Sequence, residues 1–247
     1  MSTLAGKTIS ILGASTSTFD GYSNNASYNT TLPLNAPYYP KPEFMSDVRD
    51  TWWMRTIDAL QLKLCVNNSW SGSCITTVTD GDEKAGCMLR ATQLHNDREQ
   101  TEPDIIILII GGNDALRGYE AGTYTGVSGI YDGERNEYIG DCTVFADAYA
   151  TMVHKVKMRY PKADVYVCSM MHWVVTKHDR GVDQYNTVVR QIADDFGVTY
   201  IDFYNQSGIQ PDTVGTYLHT DGIHPNPLGF AQMADCVVKV LRSRYEE

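Results

Sequence analysis

The chain has 247 residues, 43% of them hydrophobic and 20% charged, the make-up of a soluble globule with enough residues for one large core. A formal charge of −10 argues against nucleic acid or an anionic membrane surface as a partner. No apolar run approaches the length of a membrane-spanning helix; the longest, 105–110, is strand-sized.

The first element is expected at 8–12, where an apolar run passes straight into Gly13-Ala14-Ser15 without polar alternation. Such a run reads as the buried centre of a parallel sheet. No basic-then-apolar leader precedes it, so a cytoplasmic protein is expected, or a secreted one whose leader has been trimmed. Residues 19–50 follow without sustained periodicity and carry Pro33, Pro37, Pro40, Pro42, Tyr22, Tyr28, Tyr38 and Tyr39. A loop this long and this aromatic reads as ordered and functional. Asp50 then reads as an N-cap, with Trp53, Ile57 and Leu60 at helical spacing behind it.

A second strand is expected at 64–68, with Ser69 to Ser73 as its exit loop, and a weak helix over about 84–95. The strongest strand is 104–110, apolar on both faces, ending in Gly111-Gly112-Asn113-Asp114. A second long loop, 117–140, is rich in Gly and carries Tyr119, Tyr124, Tyr131 and Tyr138. Phe145, Tyr149, Met152 and Val156 mark a helix closing before Pro161, and 163–170 a fourth strand. Tyr185, Val188, Val189, Ile192 and Phe196 mark a helix stopped by Gly197, and 199–204 a fifth strand. Asn226 and Pro227 open a last helix as cap and first-turn proline, with Phe230, Met233, Val237, Val240 and Leu241 as its core stripe.

Strands and helices alternating in this way imply one α/β domain over 1–247, a five-stranded parallel sheet with helices on both faces. Six cysteines (Cys65, Cys74, Cys87, Cys142, Cys168, Cys236) form no CxxC pair. Cys65 and Cys168 fall in expected strands, so buried thiols are expected rather than disulfides or a zinc site. Asn25-Ala26-Ser27 and Asn29-Thr30-Thr31 match glycosylation acceptors and are discounted without a secretory signal.

Ligands of open α/β sheets bind beyond the carboxyl ends of the strands. Ser15, Gly72 and Asn113 stand at such ends, and Asp221-Gly222-Ile223-His224 lies just before the last helix. A serine in a loop usually does no more than cap a turn. Ser15 is set apart by the acid and imidazole at the other end of the chain. A hydroxyl becomes a nucleophile when an adjacent base takes its proton, and an imidazole is the side chain that titrates near neutrality. Asp221 is placed to fix the tautomer of His224. The backbone N–H groups of Ser15 and Gly72 and the Asn113 amide are suitable donors to a developing oxyanion.

Gly13-Ala14-Ser15, Gly72 after the second strand, Gly111-Gly112-Asn113-Asp114 and Asp221-Gly222-Ile223-His224, in that order, resemble the four blocks of the SGNH (GDSL-type) hydrolase family. The resemblance spans nearly the whole chain. It implies a flavodoxin-like three-layer α/β/α sandwich and metal-free ester hydrolysis through an acyl-serine, with no cofactor. Ser15 would be the nucleophile, His224 the base and Asp221 its partner, with Ser15, Gly72 and Asn113 forming the oxyanion hole. One block departs from the family: its usual Gly-Asp-Ser reads Gly-Ala-Ser, with Ala14 in place of the acid.

The pocket wall is expected to come from the two long loops and their eight tyrosines, with Tyr22, Trp52, Trp53, Tyr119 and Tyr124 as substrate contacts. Aromatic faces and amides suit a sugar or another polar alcohol, so the first expectation is a short-acyl esterase that removes acetyl groups from a carbohydrate. The rivals are a longer-chain lipase or thioesterase on the same machinery, and a non-catalytic carbohydrate-binding protein. Asp114 is expected to secure a loop, and His172 and Trp173 to pack or to line the pocket. His219, Asp221 and His224 are metal ligands by type, but their spacing fits no helical zinc pattern.

Overall fold

The computed structural model describes residues 4–23, 39–174 and 181–245. Tyr28, Tyr38, Pro33, Pro37 and both glycosylation-type triplets lie outside the described residues. Strand β1 (Thr8–Gly13) is buried along nearly its whole length, with Ile9, Ile11 and Leu12 fully enclosed. Its one enclosed hydroxyl, on Ser10, donates to the carbonyl of Leu94 at 2.7 Å, so this strand brings no unpaired side-chain hydroxyl into the core. Helix α1 (Trp52–Leu60) follows, then β2 (Lys63–Asn67) and β3 (Ile105–Ile109). The short α2 (Gly112–Arg117) leads to a two-stranded hairpin, β4 (Tyr131–Asp132) and β5 (Glu137–Tyr138). Then come α3 (Phe145–Arg159), β6 (Asp164–Cys168), α4 (Val182–Phe196) and β7 (Thr199–Ile201). The chain closes with α5 (Phe203–Gln206), α6 (Val214–Tyr217) and α7 (Pro227–Tyr245).

The central sheet has the order β2-β1-β3-β6-β7 and is parallel throughout. Counting only its own strands, this is the 2-1-3-4-5 order of flavodoxin-like folds, with the switch point between β1 and β3. Right-handed crossovers that run in opposite directions from that point place their helices on opposite faces. Helix α1, packed on α7, covers one face, and α3, packed on α4, covers the other. The expected three-layer α/β/α sandwich is therefore the observed one.

Local differences from the sequence reading have local causes. Thr51, not Asp50, caps α1: its side chain accepts from the Met54 N–H, while Asp50 pairs with Arg55. Over 84–95 only a single 3-10 turn forms, Leu89–Thr92. The N–H groups of Gly86 and Cys87 donate instead to the carbonyls of Cys74 and Ile75, which takes them out of any helix. All six cysteines are free thiols.

Candidate active site

Strand β1 delivers Ser15 into a tight 3-10 turn, Ser15–Ser17, at the carboxyl edge of the sheet. The turn is held from behind at several points. Trp52 Nε1 donates to Ser17 Oγ at 3.2 Å and Asn67 Nδ2 to the Ser17 carbonyl at 2.8 Å. Thr18 Oγ1 lies 3.0 Å from both the Ser15 carbonyl and Ser71 Oγ. Ala14 therefore leaves the turn well anchored without an acid at that position.

Below it, the fully buried Arg90 ties strand ends together. Its Nη2 donates to the carbonyls of Gly13 and Asn68, each at 2.6 Å, and its Nη1 to Ser73 Oγ and the Lys84 carbonyl. Burial pulls its guanidinium down to about 9, so it carries its charge at neutral pH.

The loop before α7 brings the imidazole. Asp221 Oδ1 accepts from the backbone N–H groups of Ile223 and His224, which closes the loop and fixes the carboxylate. Its Oδ2 lies 2.7 Å from His224 Nδ1, and His224 Nε2 lies 2.8 Å from Ser15 Oγ. Burial alone would raise the Asp221 pKa. The two backbone donors and the imidazole outweigh it and hold the carboxyl below its usual range. An ionised carboxylate only accepts, so Nδ1 carries the proton and Nε2 offers its lone pair to the serine hydroxyl.

Tyr39 completes this arm. Its ring stacks on His224 with centroids 4.1 Å apart and planes 20° apart, and its hydroxyl donates to the Pro225 carbonyl at 2.5 Å. Burial and the Asp221 charge raise its pKa, which keeps the phenol a donor. His219, a metal ligand by type, turns its ring against Phe44 and Tyr39 instead.

After β3 the chain turns at Gly111, whose φ of +120° favours glycine; a Cβ there would stand 2.8 Å from the Phe145 ring. Asn113 follows in the first turn of α2, and its Nδ2 donates to the Ser73 carbonyl at 2.9 Å, leaving a second amide proton for a ligand. Gly72, at φ +73°, adjoins Ser73, and its carbonyl accepts from Arg117 Nη2 at 3.0 Å. Asp114 is buried and accepts from the N–H groups of Ile75 and Thr76 and from the Thr76 hydroxyl. It secures the loop after β2 from the first turn of α2, which follows β3 on the far side of β1. Burial pushes its pKa up to about 6, against the pull of those donors.

Ser15, Asn113 and His224 line one cavity of about 210 Å³ between the ends of β3 and β6. The other expected substrate contacts stand elsewhere. Trp52 and Trp53 are fully buried in the inward face of α1, where they pack the core behind the nucleophile turn. Tyr22 packs on Phe19 and Trp53; the Tyr119 hydroxyl donates to Thr79 and that of Tyr124 to Asp195. None of the five lines the cavity. Its walls are Ile109, Ile110, Leu116, Met170, Met171 and Trp173. Met170 and Met171 follow the fourth strand at the same sheet edge as Ser15, a placement legible in the sequence. Tyr39 and Arg90 left no such mark. His172 stacks on Tyr204 with centroids 3.8 Å apart.

A hydroxyl, an imidazole and a carboxylate in hydrogen-bonded line at the carboxyl edge of a 2-1-3-4-5 sheet are groups that an ester hydrolase of the three-layer α/β type would use. Residues 7–241 match the GDSL-like lipase/acylhydrolase family, to which the chain belongs. It is similar to a protein described as a GDSL-like lipase from Bacteroides ovatus, with 25% identity and a TM-score of 0.69, over 97% of this chain and 99% of that one. A second, from Bacteroides uniformis, gives 25% and 0.68 over 96% of each chain. A family two carbohydrate esterase from Clostridium thermocellum, in complex with cellohexaose, shares the fold at 18% identity and a TM-score of 0.60, over 96% of this chain and 64% of that one. No curated protein matches the chain.

Proposed function

We propose that the chain is a serine esterase that hydrolyses short-chain acyl esters of a carbohydrate or another polar alcohol through an acyl-Ser15 intermediate. The observation that carries this reading is the unbroken line from Ser15 Oγ through both ring nitrogens of His224 to Asp221 Oδ2. As Oγ attacks the ester carbonyl, its proton passes to His224 Nε2, and Asp221 stabilises the imidazolium. The tetrahedral oxyanion is met by the N–H groups of Ser15 and Gly72 and by the Asn113 amide. His224 then protonates the departing alcohol. Water attacks the acyl-serine with His224 again as base, and Ser15 recovers its proton.

A net charge of −10 disfavours an anionic alcohol as the leaving group. A binding protein without activity would have no need of a serine hydroxyl held 2.8 Å from a base. A fluorophosphonate should label Ser15 stoichiometrically, and Ser15→Ala should lose roughly four to six orders of magnitude in kcat. Label on another serine, or turnover retained in the variant, would sink the mechanism.

A further inference from the structure

We propose that the cavity beside Ser15 is an acyl pocket for a chain of about four to six carbons, so that butanoyl to hexanoyl esters, not acetyl esters, are the preferred substrates. This rests on the esterase reading and concerns the acyl half of the substrate. The five aromatic residues expected to contact substrate do not line the cavity, and aliphatic, thioether and indole side chains take their place. Among the described residues that line it none is Asp, Glu, Lys or Arg. The cavity lining includes Cys168, Ser169, Phe203 and Met233, all of them buried. On this proposal they form the inner end of the pocket and give it a finite depth.

Size decides the chain length. The cavity measures about 210 Å³, whereas an apolar cavity of about 150 Å³ already takes up benzene. At about 30 Å³ for each atom-sized group, it holds about seven. An ester carbonyl carbon and oxygen occupy two of these places, leaving about five for the tail. Acetyl has one tail carbon and would leave most of the apolar wall facing water. Each added methylene that reaches this wall should raise kcat/KM by about fourfold until the far end is met. Beyond that point an extra carbon has nowhere to go and the rate falls.

The test is kcat/KM across p-nitrophenyl esters from acetyl to dodecanoyl, run on the intact chain alongside fluorophosphonate labelling of Ser15. The expected profile rises at least tenfold from acetyl to a maximum at butanoyl to hexanoyl and declines by decanoyl. Two variants move the maximum in opposite directions. Leu116→Trp fills the pocket and should lower the hexanoyl-to-acetyl ratio at least tenfold, while Met171→Ala should shift the maximum towards octanoyl. A maximum at acetyl with Ser15 labelled would overturn the pocket and leave the esterase standing. A rise continuing through dodecanoyl would overturn the closed end. Absence of both label and turnover would overturn the esterase reading and the pocket with it.

Discussion

The stack of Tyr39 on His224 makes a prediction whose size follows from its geometry. At 4.1 Å and 20° the two rings lie nearly face to face, so the phenol face meets whatever charge the imidazole gains. Aromatic pairs contribute about 0.5–1.5 kcal/mol beyond buried area, and a cation over a ring about 0.5–2 kcal/mol. The second contribution exists only while the imidazolium does, which is in the transition state, so it appears in kcat. Tyr39→Leu removes both, and loss of the second should lower kcat by about five- to thirtyfold, the equivalent of roughly 1–2 kcal/mol. Tyr39→Phe keeps the ring and loses only the donation to Pro225, so kcat should stay within about fivefold. That variant should show its loss in stability, about 1–3 kcal/mol for the buried carbonyl left unpaired, or several degrees in Tm for a chain of this size. The assay is kcat on a butanoyl ester with a urea melt on each variant. A folded leucine variant within threefold of wild type would refute the reasoning. So would a phenylalanine variant as slow as the leucine one, since the hydrogen bond and not the ring would then carry the effect.

Asn113→Ala should lower kcat by roughly two to three orders of magnitude while the urea midpoint moves little; a loss below tenfold in a folded variant would reassign Asn113 to holding Ser73. Asp114 gives a pH prediction. Its folded pKa of about 6 lies above the unfolded value near 3.8, so between those limits the native state holds a proton that the unfolded state has released. Stability from this group is full below about pH 4 and falls by up to about 3 kcal/mol as pH rises to about 6. Asp114→Asn should remove that part of the slope, and parallel urea-stability curves for the two proteins would refute it.

The central strands were legible because they are apolar on both faces, which a parallel sheet between helix layers demands. Ser15, Asn113, Asp221 and His224 were legible because each sits where a strand ends or a helix is about to begin, and the structure brings Ser15, Asn113 and His224 to one cavity. The tyrosines misled for a physical reason: an aromatic residue in a loop satisfies its hydroxyl wherever an acceptor lies, as Tyr124 does at Asp195 and Tyr119 at Thr79. Trp52 and Trp53 lie one after the other at the start of α1, so their position near the functional edge hid the inward direction of both side chains. Arg90 was illegible because nothing in its neighbours signals a guanidinium turned inward to four protein acceptors. The two long loops yielded least, since loops have no period to read.

Ser15 and His224, hydrogen-bonded in the fold, stand 209 positions apart in the chain. Synthesis at roughly 5–20 residues per second puts about 10–40 s between the emergence of the serine and that of the imidazole. For that interval the serine is an ordinary alcohol. It gains a partner only when the segment 221–224 has been made and α7 has settled against α1. If Ser15 is the nucleophile, a chain whose synthesis stalls before residue 221 holds its hydroxyl without a base, so hydrolysis would be confined to chains made past His224.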